Sequence, residues 1–492
     1  MTVSGLRKLL AVWLALVVGV ACAQEPQLTL HGEVRRAQFM SYQEVPFDVP
    51  EGVSRLTVEF TYTGHDHGTN LDMGVIDPQR FRGWSGGNKH TFTVSESDAT
   101  PSYLPGPVVA GRWRLLMGVP AIREASVARY TVKVWWQKVS TDAASVSTFS
   151  QKPIREGAAW YRGDLHMHTG HSDGSCASES GAKVPCPVFL TAQAAVARGL
   201  DFIAITDHNT TSHYDAMREL QPYFDKLLLI PGREITTFYG HANVFGTTQF
   251  IDFRLGTKSV PTMNDLLNEV DAAHGLIALN HPGVPSGEQC MGCGWTAPDT
   301  DFARIHLMEA VNGADADGEK SGVPVWQQQL DRGLRITAIG GSDNHNALLK
   351  PGQNNAIGSP TTVVYATSLS ESAILAGIRA GHVFVDTDGT KNRSLILSAT
   401  SGDAHALMGD AMHVANGATV TFTVEANDVA GMHGEVIKDG KRSMLEGTIF
   451  APGKQIRNFT IDGDGKQHTV RVEIRDAGGK LKLLGNPVYL NR

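Results

Sequence analysis

The chain is 492 residues long, with 41% apolar residues, 19% charged residues and a formal net charge of −7. That length suits about three domains of ordinary size, and the composition is that of a globular protein. The acidic balance, with no basic stripe, excludes a nucleic-acid-binding surface, and no segment beyond the N-terminus is long and apolar enough to span a bilayer.

Residues 1–23 read as an export signal. Arg7 and Lys8 supply the charged start, residues 9–20 the apolar stretch, and Ala21-Cys22-Ala23 a small-x-small cleavage site. Cleavage before Gln24 removes two bases and no acid, so the mature chain carries about −9 and is expected in the periplasm or outside the cell, free of the membrane. A start-anchored helix and lipidation of Cys22 are the competing readings. Residues 24–150 alternate in period two, as at 56–62 and 130–136, with turn residues between, which predicts a β-sandwich. Residues 142–151, rich in Ser, Thr and Ala, read as a linker.

From 158 to 395 short β-branched runs (202–206, 227–230, 276–280, 336–339) alternate with helical stretches at 187–198, 214–226, 263–273, 324–332 and 369–380. That repetition predicts a parallel barrel or a doubly wound sheet. Residues 396–492 return to period two, as at 418–424 and 468–474, and predict a second, smaller β-sandwich.

Four cysteines remain after cleavage, Cys176, Cys186, Cys290 and Cys293, and an even set in an exported chain points to disulfides. Spacing alone leaves three pairings open. Loop-closure entropy favours the two local bridges, Cys176–Cys186 and Cys290–Cys293.

The residues that carry chemistry gather at the ends of apolar strands. Asp164-Leu-His166-Met-His168-Thr169 leads into Ser172-Asp173-Gly174, and residues two apart on a strand share a face. Thr206-Asp207-His208 ends a second strand, Gly232-Arg233-Glu234 a third, Asn280-His281 another, and Ser342-Asp343-Asn344-His345 yet another, while His241 lies in a short run of its own. Histidine or carboxylate at the tip of strand after strand is where barrel enzymes keep their active sites, and such groups are costly to bury unless paired or metal-bound. His166, His168, Asp173, His208, Glu234, His241, His281, Asp343 and His345 are therefore the candidate ligands. At about three protein ligands per catalytic ion they suit about three divalent ions, and imidazole with carboxylate suits zinc, manganese or iron. Asp164 and Asp207 are expected to orient neighbouring ligands, and Arg233 and His213 to touch substrate. The pair His65-Asp66-His67 has no such company and reads as a solvated loop, and His274 and His306 read as structural.

The order Asp-Leu-His-x-His-Thr…Ser-Asp-Gly, Thr-Asp-His-Asn, Gly-x-Glu, Asn-His-Pro and Gly-Ser-Asp-x-His resembles the polymerase and histidinol phosphatase (PHP) superfamily, and within it the secreted CehA/McbA-like metallohydrolases. Residues 77–87 and 99–106 fit the same group. The resemblance covers nearly all the mature chain and implies a distorted (β/α)7 barrel with a trinuclear site, preceded by a β domain. The segment 175–187 is longer than in simpler PHP proteins and is expected to shape the substrate mouth. Phosphomonoester or phosphodiester hydrolysis by a metal-bridging hydroxide follows, because adjacent dications lower the pKa of a shared water. Three dications outweigh three carboxylates and one hydroxide by about two charges, which suits a small anionic ester. The alternatives are a carbamate or carboxylic ester hydrolase, and a non-catalytic, metal-stabilised binding protein.

Overall fold

The computed structural model describes residues 25–138 and 152–491, apart from 54, 96–98, 248, 249 and 289. The export signal expected at 1–23 and the linker expected at 142–151 lie outside the described residues.

The central unit is built from nine strands: β1 (Arg155–Asp164), β2 (Phe202–Ile205), β3 (Leu228–Thr237), β4 (Gly240–Phe245), β5 (Leu276–Leu279), β6 (Leu307–Asn312), β7 (Thr337–Gly341), β8 (Thr361–Leu369) and β9 (Val383–Asp386). The order across the sheet is β7-β6-β5-β4-β3-β2-β1-β8-β9. Strands β1, β2 and β3 are parallel, as are β5, β6 and β7, but β4 pairs antiparallel with both neighbours and β8 runs antiparallel to β1. The wholly parallel sheet expected from the alternation is thus corrected to a mixed one. Two residues, Phe238 and Tyr239, join β3 to β4, enough for a hairpin and far too few for a crossover.

Alternate residues of these strands converge on one interior core containing Tyr161, Phe202, Ala204, Ile230, Phe245, Ala278, Leu307, Ile339, Val364 and Val383. A flat sheet cannot bring its two ends into one cluster, so the sheet curls. The edge strand β7 meets β8 from the far side of the curl through Thr362, whose hydroxyl donates to Gly340 O (2.6 Å) and accepts from Gly340 N (2.8 Å).

The helices cover the outside: α1 (Val188–Arg198), α2 (His213–Leu220), α3 (Met263–Ala272), α4 (Val323–Asp331) and α5 (Glu371–Arg379). Their ends follow local rules. Thr262 and Asp265 form a capping box on α3, and Ser370 accepts from Ala373 N on α5, each worth about 1 kcal/mol. Helix α2 stops six residues short of the expected 226, with Gln221 as its C-cap and then Pro222, which has no N–H to continue the ladder.

The N-terminal residues form two four-stranded antiparallel sheets over a shared apolar core. One of these sheets contains Tyr42–Val49, Gly111–Ala121, Asn70–Ile76 and Phe81–Gly86. Its outer face carries Ile76, Trp84 and Leu116 into a core shared with Ile251, Phe253 and Leu255 of the central unit. The C-terminal strands also make two layers, but one is hydrogen-bonded edge-on to the barrel: Leu481–Gly485 pairs antiparallel with β9. Val363 and Phe384 of the barrel contribute to the C-terminal core.

Candidate metal centre

All nine candidate ligands meet at one end of the barrel. Four overlapping groups have donor atoms within 4.8 Å of one another: His168, Asp173, His208 and His345; His166, Glu234 and His281; His166, His168 and Asp343; and His208, Glu234 and His241. Glu234 is the hub. Its Oε1 lies 3.2 Å from His241 Nδ1, 3.5 Å from His166 Nε2 and 3.6 Å from His281 Nε2, and its Oε2 lies 2.8 Å from His208 Nδ1 and 3.5 Å from His168 Nε2. Asp343 Oδ1 sits 3.1 Å from His168 Nε2 and 3.4 Å from His166 Nε2. Asp173 faces His208 at 3.7 Å and His345 at 3.3 Å.

The strands explain the convergence. In β3 the inward turn of Glu234 follows from period two, and the isolated bridge His208–Glu234 extends the β2–β3 pairing to the ligands. Three non-glycine residues at the site take positive φ: Asn209 (51°), His281 (30°) and Asp343 (51°). Such conformations cost about 1–3 kcal/mol each and persist where the surroundings over-determine them. At His281 they do: its N–H donates to Glu309 Oε2 (2.9 Å) and its Nδ1–H to Cys293 O (2.5 Å).

Charge distribution fits cations. His166 Nδ1 donates to Glu309 Oε1 at 3.0 Å, which leaves the Nε2 lone pair facing the carboxylates of Glu234 and Asp343. Nε2 of His166 and Nδ1 of His168 are buried and make no hydrogen bond among the described residues. Lone pairs converging from a ring and two carboxylates repel unless a proton or a metal ion lies between them. Burial disfavours charge on these rings, yet Glu309, Asp343 and Glu234 hold His166 well above its ordinary pKa. Likewise, against the effect of burial, Glu234 and Asp173 raise His208 to about 10, and Asp173 raises His345 to about 9. Burial and the neighbouring rings of His345 and His208 push His168 down to about 4. Burial alone would raise Glu234 and Asp343, but the surrounding imidazoles hold both well below the usual carboxylate range. Protons on His166, His208 and His345 thus stand where cations would, and the donor set fits divalent ions.

Asp164 and Asp207 hold backbone. Asp164 accepts from the N–H groups of Gly358 (2.7 Å), Ser342 (3.0 Å) and His166 (3.3 Å), tying the ends of β1 and β7 together. Asp207 accepts from Thr169 N (2.8 Å), Thr169 Oγ1 (2.7 Å) and Ser172 Oγ (2.5 Å), fixing the loop that carries Asp173.

The two expected substrate contacts are placed elsewhere. Arg233 neighbours Glu234 in an extended strand and so faces the opposite side, where it is buried with its guanidinium over Phe250. His213 is fully buried, with Nε2 donating to Gly232 O (2.9 Å) and Nδ1 3.5 Å from Asp207. Neither belongs to the four donor groups. His65 and His67 are exposed on a single turn of 3-10 helix. His274 follows α3 rather than lying within it, and His306 precedes β6.

Both local disulfides are formed, Cys176–Cys186 with Cα atoms 4.7 Å apart and Cys290–Cys293 at 5.6 Å. Cys176 and Cys186 are buried among Met167 and Val188, whereas Cys290 is exposed.

Three functional residues were not legible as such in the sequence. Glu309 of β6 holds His166 and His281, as described above, and also accepts from Asn312 Nδ2 (3.0 Å). It adds a fourth carboxylate, which lowers the expected net charge of a loaded centre by one. Lys89 and Ser102 come from the N-terminal unit. Lys89 Nζ donates to Ser102 Oγ (3.2 Å), Gly170 O (3.2 Å) and Ser172 O (3.4 Å). Ser102 Oγ donates to His171 O, Ser102 N donates to Ser212 Oγ (2.8 Å), and Thr210 Oγ1 donates to Ser102 O (3.0 Å). The N-terminal sandwich thereby grips both the loop before Asp173 and the loop after His208.

No protein-family model matches the chain, and no curated protein matches it. Two solved structures are similar to it. One is a two-domain protein from Bacteroides vulgatus ATCC 8482 described as containing a predicted PHP-like metal-dependent phosphoesterase; it is 19% identical, spans 70% of this chain and 100% of its own, and has a TM-score of 0.39. The other is a candidate metal-dependent phosphoesterase from Bifidobacterium adolescentis ATCC 15703, 17% identical over 44% of this chain and 94% of its own, with a TM-score of 0.30.

Proposed function

We propose that the chain is an exported, metal-dependent phosphoesterase of the PHP type, CehA/McbA-like, acting on a small anionic ester. One observation carries this reading: nine imidazole and carboxylate donors converge in four overlapping groups at the mouth of one barrel. About three ions fit, shared through Glu234, His166, His168 and His208, with zinc, manganese or iron suited to the donors. Such ions supply Lewis acidity and lower the pKa of a bound water, which is the chemistry phosphoester hydrolysis needs. The chain's own residues hold the donors still. Glu309 fixes the tautomer of His166 and the backbone of His281, Asp207 fixes the Asp173 loop, and Asp164 joins the strands that present His166 and Asp343.

The test is to purify the mature protein, measure metal per chain, and assay chromogenic phosphate mono- and diesters beside naphthyl esters and carbamates, with and without chelator. Chelator-sensitive turnover of phosphoesters supports the reading. Turnover confined to carbamates or carboxylic esters replaces it with the carbaryl-hydrolase alternative, and no turnover in metal-replete protein favours a binding protein.

A further inference from the structure

Glu234, the hub of the centre, has a partner that is not itself a candidate ligand. Asn280 follows β5 directly and is 1% exposed, and its Nδ2 donates to Glu234 Oε1 at 2.8 Å. The amide cannot sit the other way round. Its Oδ1 accepts from Asn243 N–H (3.2 Å), so the NH2 end faces the carboxylate. The Asn280 N–H donates to His241 O (3.0 Å), which ties the residue's backbone to β4. Asn243 is the cross-strand partner of Glu234, and its own Nδ2 donates to Leu165 O (3.2 Å), next to His166. Two buried amides therefore link the tips of β1 and β5, through β4, to the hub on β3.

Packing does not call for an amide at 280. The strand ahead of it, Leu276–Leu279, is wholly apolar and buried, and a buried amide is costly unless its hydrogen bonds are made. What Asn280 adds is direction. The last torsion of a glutamate is broad, so a carboxylate without a fixed partner turns easily about it. We propose that Asn280 is a positioning residue of the metal centre, setting the rotation of the Glu234 carboxylate so that Oε1 faces His166 and His281 while Oε2 faces His208; this rests on the metal-dependent reading above. Each carboxylate oxygen has two lone pairs. The amide occupies one on Oε1 and leaves the other for an ion, so each oxygen is presented to its own set of rings. Outer partners of this kind hold ligating carboxylates in place, and their loss costs affinity for the ion.

The experiment measures ion binding rather than turnover. Mature wild type and Asn280→Ala are stripped of metal and titrated with zinc against a chromophoric chelator. The ions of the two groups that contain Glu234 should weaken by about 10–100-fold. The ion of His168, Asp173, His208 and His345 should bind as in wild type. The rise in melting temperature that zinc brings should shrink, while the metal-free proteins melt close together. Asn280→Ser is the second variant. Its hydroxyl is too short to reach Glu234, so the same ions should weaken as much. Wild-type affinity for every ion in both variants would overturn the role, as would all ions weakening alike while the metal-free protein melts correspondingly lower. Failure of both variants to fold would overturn it too, because Asn280 would then be holding the fold instead. Wild type that binds one ion or none overturns the metal-centre reading and this role with it, whereas wild type with several ions and variants indistinguishable from it overturns the role alone.

Discussion

Glu309→Gln is the sharpest test of how the centre is held together. In the wild type Oε1 accepts from His166 Nδ1 (3.0 Å), while Oε2 accepts from His281 N (2.9 Å) and Asn312 Nδ2 (3.0 Å). Glutamine keeps the shape but replaces one acceptor oxygen with an NH2 donor. If that donor faces His166, the ring must accept at Nδ1 and carry its proton on Nε2, the atom turned towards Glu234 and Asp343, which then cannot bind a cation. If it faces the other way, it meets two N–H groups, one of them on a residue already held at φ 30°. Either arrangement weakens the ion shared by His166, Glu234 and His281. Losing one orienting partner of this kind typically costs 10–100-fold in metal affinity, or about 1.4–2.7 kcal/mol. Competition against a chromophoric chelator should show that loss for one class of ion, with the remaining ions bound as before and the circular dichroism unchanged. Wild-type affinity for every ion in Glu309→Gln would refute the role given to Glu309.

Other consequences follow from the same contacts. Lys89→Met removes three hydrogen bonds to the 170–172 loop and its neighbour, so amide exchange across 169–173 should accelerate and the ion near Asp173 should bind more weakly; unchanged exchange there contradicts the grip. His166→Ala takes a donor from two of the four groups and should abolish most turnover while the apolar strands keep the fold, whereas His65→Ala, on an exposed turn, should be silent; equal effects would contradict the choice between the two His-x-His pairs. Mild reductant should open Cys290–Cys293 before the buried Cys176–Cys186, loosening the Cys293 carbonyl that holds His281 and lowering activity below the reductant concentration that unfolds the protein; thiol labelling read by mass spectrometry gives the order.

Much of the centre is written locally. His166, His208, His281 and Asp343 follow closely on the ends of apolar strands, and strand tips on a curled sheet point towards the common mouth, so these four converge for the reason the sequence pattern gives; Glu234, expected at a strand end, instead lies inside β3, which runs on to Thr237 to pair with β4. What is not local is harder to read. Glu309 sits in Leu-Met-Glu-Ala-Val-Asn with no histidine beside it, and its one signal is a carboxylate inside a wholly buried strand. Lys89 and Ser102 lie in turns of another unit, and their role exists only once that unit docks. Arg233 was legible in principle, since an arginine next to an inward glutamate on a strand must face outward. The antiparallel β4 also had a signal, the two-residue gap after β3, hidden by the continuous apolar character of buried strands. The C-terminal unit reads as a separate sandwich because period two does not reveal that one of its edges pairs with β9.

The central claim is that these nine side chains hold several ions at once. Crystals of metal-replete protein, measured at wavelengths either side of the absorption edge of the bound metal, test it directly. About three anomalous peaks are expected, each within bonding distance of donors from one or two of the four groups, which share Glu234, His166, His168 and His208. A single peak, or none among these residues in protein loaded with zinc, manganese or iron, would contradict the account.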